Sequence, residues 1–131
     1  MKVKGEEFSN AVGATVSAVL IEMYFYMDEQ EASIGNLIVD LTDGRRYLFA
    51  CRGDGGIYVT HIRSDVSLAP PNFVVELWPI PSIEGGLESV EWTMTGVQIV
   101  IGDKKLCIVN ADDELEITSN GRSVREIVTA R

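Results

Sequence analysis

Two stretches of the chain follow one plan, and that repetition restricts the chain to folds assembled from short strands that double back. The first stretch covers about residues 35–62 and the second about residues 96–119. Each reads as an apolar strand, a tight turn with a basic pair after it, a second strand, an acidic turn and a third strand. The basic pairs are Arg45-Arg46 and Lys104-Lys105, at matching places in the two copies. Short apolar runs separated by Asp/Gly turns form β-meanders, because glycine accepts the positive φ that a tight hairpin turn requires.

Around the repeat, the same reasoning assigns most of the remaining chain to strands. Ala14–Met27 is rich in β-branched and aromatic residues and reads as one long strand, a helix being the rival reading. The first meander takes strands at Ile34–Thr42, Arg45–Cys51 and Ile57–Ile62, with Asp43-Gly44 as its hairpin signal. Leu37, Val39 and Leu41 share one face, as do Tyr47, Phe49 and Cys51, yet Ile38, Leu48 and Ala50 make the opposite face apolar too. A sheet apolar on both sides is covered on both sides. Prolines and the Gly85-Gly86 pair interrupt residues 66–86, leaving a strand at Phe73–Trp78 on an edge or beside a connection. Leu87–Met94 is the next strand, with Val90, Trp92 and Met94 on one face. The second meander follows at Gly96–Ile101, Lys105–Asn110 and Leu115–Ser119, and Asn120-Gly121 sets up a last hairpin into Arg122–Val128. About nine strands with frequent turn signals predict an all-β fold: an antiparallel sandwich or partly open barrel, in a single domain spanning residues 1–131. The first twelve residues fit a frayed end or a short helix around Glu6–Val12.

Charge narrows the choice of partner. Twenty acids stand against eleven bases, a formal net charge of −9. No Lys or Arg lies between Ser64 and Lys104, and a second acidic knot runs from Asp112 to Glu116. Such a surface repels nucleic acid and anionic membrane, whose phosphates need cationic side chains. The apolar run near Ala18–Met27 is too short and, with Glu22 in it, too polar to span a bilayer. The N-terminus, Met-Lys-Val-Lys-Gly-Glu-Glu, starts basic like a secretion signal but turns acidic and lacks an immediate apolar stretch, which predicts a cytoplasmic protein.

Residue types that carry chemistry are sparse. His61 is the sole histidine and sits in an alternating strand, so a core-edge position is expected rather than a catalytic base. There is no nucleophile elbow. Cys51 and Cys107 do not match in the repeats, and two thiols with one histidine make a poor zinc set, so reduced half-buried thiols are expected. Gly53-Asp54-Gly55-Gly56 lacks a following Lys and reads as a turn, not a phosphate cradle. The expectation is no catalytic residue, no metal and no cofactor.

The segment Leu37-Ile-Val-Asp-Leu-Thr-Asp-Gly-Arg-Arg-Tyr-Leu-Phe49, together with the acidic tract, resembles the small acidic immunity proteins of bacteria. That resemblance covers about a third of the chain and brings no site residues with it. It implies a non-enzymatic protein that neutralises a basic toxin. On charge and exposure, the partner-binding residues are Glu91, Asp112, Asp113, Glu114 and Glu116, with Trp78 as an aromatic anchor. A ligand-binding or enzymatic barrel is the competing reading, its pocket lined by Tyr24, Tyr26, Phe49, Tyr58 and Trp92. A self-associating module, including a homodimer, is the third.

Overall fold

A computed structural model describes residues 8–26, 33–51, 55–62, 73–111 and 114–129. The chain enters through a helical turn at Phe8 and Ser9 and then forms β1 (Thr15–Tyr26), β2 (Ser33–Leu41), β3 (Arg46–Cys51) and β4 (Ile57–Ile62). Next come β5 (Phe73–Pro79), β6 (Gly85–Trp92), β7 (Gly96–Ile101), β8 (Lys104–Ala111), β9 (Glu114–Ser119), the two-residue β10 (Arg122–Ser123) and a helix, α1 (Val124–Thr129). The ten described strands join one antiparallel sheet in the order β10-β9-β8-β7-β6-β1-β2-β3-β4, with β5 paired to β1. The sheet does not close into a barrel.

The repeat is real in topology. β2–β4 and β7–β9 are both antiparallel meanders, one extending from β1 and the other from β6. β1 and β6 pair antiparallel through Thr15 and Val16 against Gly86 and Gly85. The two arms are therefore related by a topological two-fold at that junction. Bulges after Val16 and after Glu22 shift the β1–β2 register, and another lies between Leu87 and Ser89. Bulges sharpen twist. The sheet folds over itself, bringing β9 close to β2 and β3.

The core lies between the two arms. Alternation sends Val19, Ile21 and Met23 of β1, Leu37, Val39 and Leu41 of β2, and Phe49 of β3 inward against Ile99, Ile101, Leu106, Ile108 and Ile117. Phe8 fills the end of this space, edge-on to Tyr47 at 5.1 Å and to Phe49 at 4.9 Å. Trp92 stacks on Phe49 and donates its indole N–H to Ser9 Oγ at 3.1 Å.

Two expectations are corrected. Arg122–Val128 pairs as a strand only at Arg122 and Ser123, and the rest is helix. Strand alternation would have put Glu126 on the same face as Val124 and Val128. A helical turn instead buries Val124 and Val128 four residues apart and leaves Arg125 and Glu126 exposed. β6 ends at Trp92, so Met94 leaves the core face and is 94% exposed. Cys51 and Cys107 are half-buried thiols. His61, on the edge strand β4, is exposed and its ring lies 5.3 Å from that of Tyr47.

Candidate functional site

The outward side of the β6–β9 arm is built from one set of alternating positions. Register places Glu91 opposite Gln98, Gln98 opposite Cys107, and Cys107 opposite Thr118. Directly paired residues share a face, so Glu91 points to the same side as Thr118 and, two and four residues away, Glu116 and Glu114. Leu115 and Ile117 between them are buried, while Glu91, Glu114 and Glu116 are exposed. Three strand spacings, about 14 Å, separate Glu91 from β9. Among the described strand residues Lys105 lies on this face, paired to Val100 beside the glutamates' rows. Asp112 and Asp113 lie outside the described residues.

At the β9 end a cleft of about 160 Å³ opens beside Glu114 and Glu116, lined also by Ile34, Leu115, Ile117 and Arg125. Trp78 is not part of this face. It pairs with Ile21 on the core side of the sheet, tilts against Phe25 at 6.2 Å, and donates its indole N–H to Glu76 Oε1 at 2.9 Å. It is half-buried. The acids expected to act together are thus brought onto one face where described, and the aromatic anchor is placed elsewhere.

The outward side of the β1–β4 arm carries a polar network that sequence reasoning missed. Glu22 sits opposite Asn36 on β2 and Leu77 on β5, and only 3% of it is exposed. One Asn36 amide nitrogen donates to Glu22 Oε1 at 2.8 Å and to the Tyr24 hydroxyl at 2.8 Å. Burial, and after it the Glu22 carboxylate, pushes the Tyr24 phenol up to about 12. The Tyr24 ring lies over Gly35, where a Cβ would collide with it. Farther along, Arg46 grips Asp40 bidentately, Nε to Oδ1 at 2.6 Å and Nη2 to Oδ2 at 2.8 Å, which raises the guanidinium further above its ordinary value. Between these groups Ile38, Leu48 and Ala50 form a second apolar cluster. The one signal in the sequence was Glu22 itself, an acid in the middle of a strand apolar on both faces.

Chemically, this network holds and orients. Its carboxylates are engaged by Asn36 and Arg46. Tyr24 belongs to the outward face, whereas Phe49 and Trp92 belong to the core, so the pocket lining expected from sequence is split by strand alternation. Tyr26's side chain lies outside the description. Among the described residues, no three His, Cys, Asp or Glu side chains converge as a metal site would require. None of the described helices is long and apolar enough to cross a membrane. No family model, curated protein or solved structure matches the chain.

Proposed function

We propose that this chain is a non-enzymatic binding protein that holds a basic protein partner on the outward face of β6–β9, acting in the cytoplasm as an immunity protein against a bacterial toxin domain. The observation that carries the reading is the projection of Glu91, Glu114 and Glu116 from one face, exposed and without an ion pair among the described residues. The opposite arm, by contrast, holds its Asp40 in an ion pair. Carboxylates left to solvent cost little in the unbound protein and steer a cationic surface toward the face during encounter. The cleft beside Glu114 offers a recess of mixed polarity in which a partner side chain can be anchored.

The test is association with the C-terminal domain encoded by a neighbouring reading frame for a large secreted protein. Replacing Glu91, Glu114 and Glu116 together by Lys should slow association about tenfold or more at low salt. The parent's rate should fall as salt rises and the Debye length shrinks from about 10 Å at 0.1 M to about 3 Å at 1 M. An unchanged association rate in the triple variant, with little salt dependence in the parent, removes this face from the mechanism.

A further inference from the structure

β5 is an edge strand of a kind that soluble proteins rarely leave bare. It pairs with β1 over seven residues without a bulge, from Leu20 opposite Pro79 to Tyr26 opposite Phe73. Among the described residues nothing pairs with its other side. The ladder fixes which groups are left over. Ile80 donates its N–H to the Val19 carbonyl at 2.9 Å, so by alternation Trp78 and Glu76 also bond to β1. Leu77 and Val75 therefore turn their N–H and C=O groups away from the sheet.

Edges are usually blunted by a lysine, a bulge or an inward charge. Here the outward-bonding positions carry no charge, and Leu77 is 45% exposed. Pro79 limits the edge at its C-terminal end. β4, an end strand of the sheet order, is tied where it begins, because the Asn110 amide donates to the Gly56 carbonyl at 2.8 Å.

We propose that the outer edge of β5 is a homodimer interface, in which two copies pair β5 antiparallel about a two-fold axis at Leu77. The sequence of the strand is self-complementary in that register. Leu77 meets its own copy, so its outward N–H and C=O are satisfied reciprocally and the two exposed leucine side chains cover each other. Glu76 comes opposite the partner copy's Trp78, so no like charges face each other across the axis. Val75 comes opposite Pro79, where the Val75 N–H reaches the Pro79 carbonyl and the absent proline N–H leaves the second bond of that pair unmade. A register centred one residue earlier would oppose two glutamates at Glu76, which like-charge repulsion disfavours. This dimer is independent of the acidic face of β6–β9, and it responds to salt in the opposite sense. Each chain carries −9, so screening strengthens self-association while it weakens capture of a basic partner.

Sedimentation of the full chain over a range of concentrations tests this, at about 0.05 M and about 0.5 M salt, where the Debye length differs about threefold. The mass should rise from 14.4 kDa toward twice that value with concentration, and at lower concentration in the higher salt. Leu77→Lys places like charges at the axis and should weaken self-association by about tenfold or more. Leu77→Pro removes the outward N–H, which the β1 ladder does not use, and should do the same. Thermal unfolding of Leu77→Lys, close to that of the parent, checks that the fold is kept. A parent that stays at 14.4 kDa throughout overturns the proposal, as does a folded Leu77→Lys variant that dimerises like the parent. Loss of the dimer on Thr60→Lys in β4, with Leu77→Lys unaffected, also overturns it by placing the interface on the other edge.

Discussion

The two arms share a topology and differ in what they do with the side facing away from the core. β3 is buried through its four middle residues, Tyr47 to Ala50, while β8 alternates buried and accessible positions along its length. Aligned through their basic pairs, Leu48 corresponds to Cys107, Ala50 to Val109 and Phe49 to Ile108. The inward members of these pairs are equally buried, but the outward members are not: Ala50 is 6% exposed and Val109 38%. Charge follows burial. Residues 35–62 contain three acids and three bases, a net of zero, whereas residues 96–119 contain five acids and two bases, a net of −3. A repeated fold specifies the core face, and the outward face is left to diverge, one arm packing a second apolar cluster and the other keeping its carboxylates in water.

The comparison breaks first if the matched outward residues are equally dispensable. Leu48→Ala should cost about 2–5 kcal/mol, since it deletes a fully buried side chain from the small cluster with Ile38 and Ala50. Cys107→Ala should cost about 1 kcal/mol or less, because its position is half-solvated. Denaturant midpoints of the two variants measure the gap. Similar midpoints would mean that the outward face of the first arm is not a core.

Glycines that open the two meanders provide a finer comparison. A Cβ on Gly96 would run into the Ile108 carbonyl, so backbone must move, whereas a Cβ on Gly35 would meet the far end of the Tyr24 ring. Gly96→Ala should therefore destabilise by about 3 kcal/mol, at the upper end of the usual overpacking cost, and Gly35→Ala by about 1 kcal/mol as the ring swings aside. The larger loss at Gly35 would show that the Tyr24 ring is as immobile as backbone.

Much of this architecture is legible before any coordinates. Ile57–Ile62 and Gly96–Ile101 are strands at their expected bounds, and the two Asp/Gly-type turns fix the meanders around them. Local pattern reaches that far because strand alternation and turn chemistry act within a few residues. It fails at Val124–Thr129, where four-residue and two-residue spacings both fit the two valines and only the exclusion of Glu126 from the core decides. It also fails at the Glu22, Asn36 and Tyr24 network. Those residues are 12 and 14 positions apart and meet because the β1–β2 register sets Glu22 opposite Asn36. The acidic face lay between these cases: alternation aimed Glu91 outward and the charged turn singled out Glu114 and Glu116, but their common face, and the place of Trp78 on the core side, follow only from the strand registers.

The smallest effect separates the arms by pH. Tyr24 has its phenol raised from 10.0 to about 12, chiefly by burial and then by the charge of Glu22, with the Asn36 hydrogen bond acting in the opposite direction. The unfolded chain releases this proton near 10, while the folded chain holds it until about 12. Stability linked to the group is thus fully present below pH 10 and is lost as pH rises from 10 toward 12. Tyr24→Phe should remove one late-ionising phenol from an ultraviolet titration, and its unfolding midpoint should decline less steeply than the parent's between those pH values. The variant also removes the hydroxyl that accepts from Asn36, so it starts from a slightly lower stability at neutral pH. Asn36 would still donate to Glu22 and keep the carboxylate satisfied, which is why the alkaline slope, rather than the neutral-pH midpoint, reports on the environment of Tyr24. A parent whose four tyrosines all ionise together near 10 would mean that the outward face of β1–β4 is as open to water as that of β6–β9, and the contrast between the arms would reduce to charge alone.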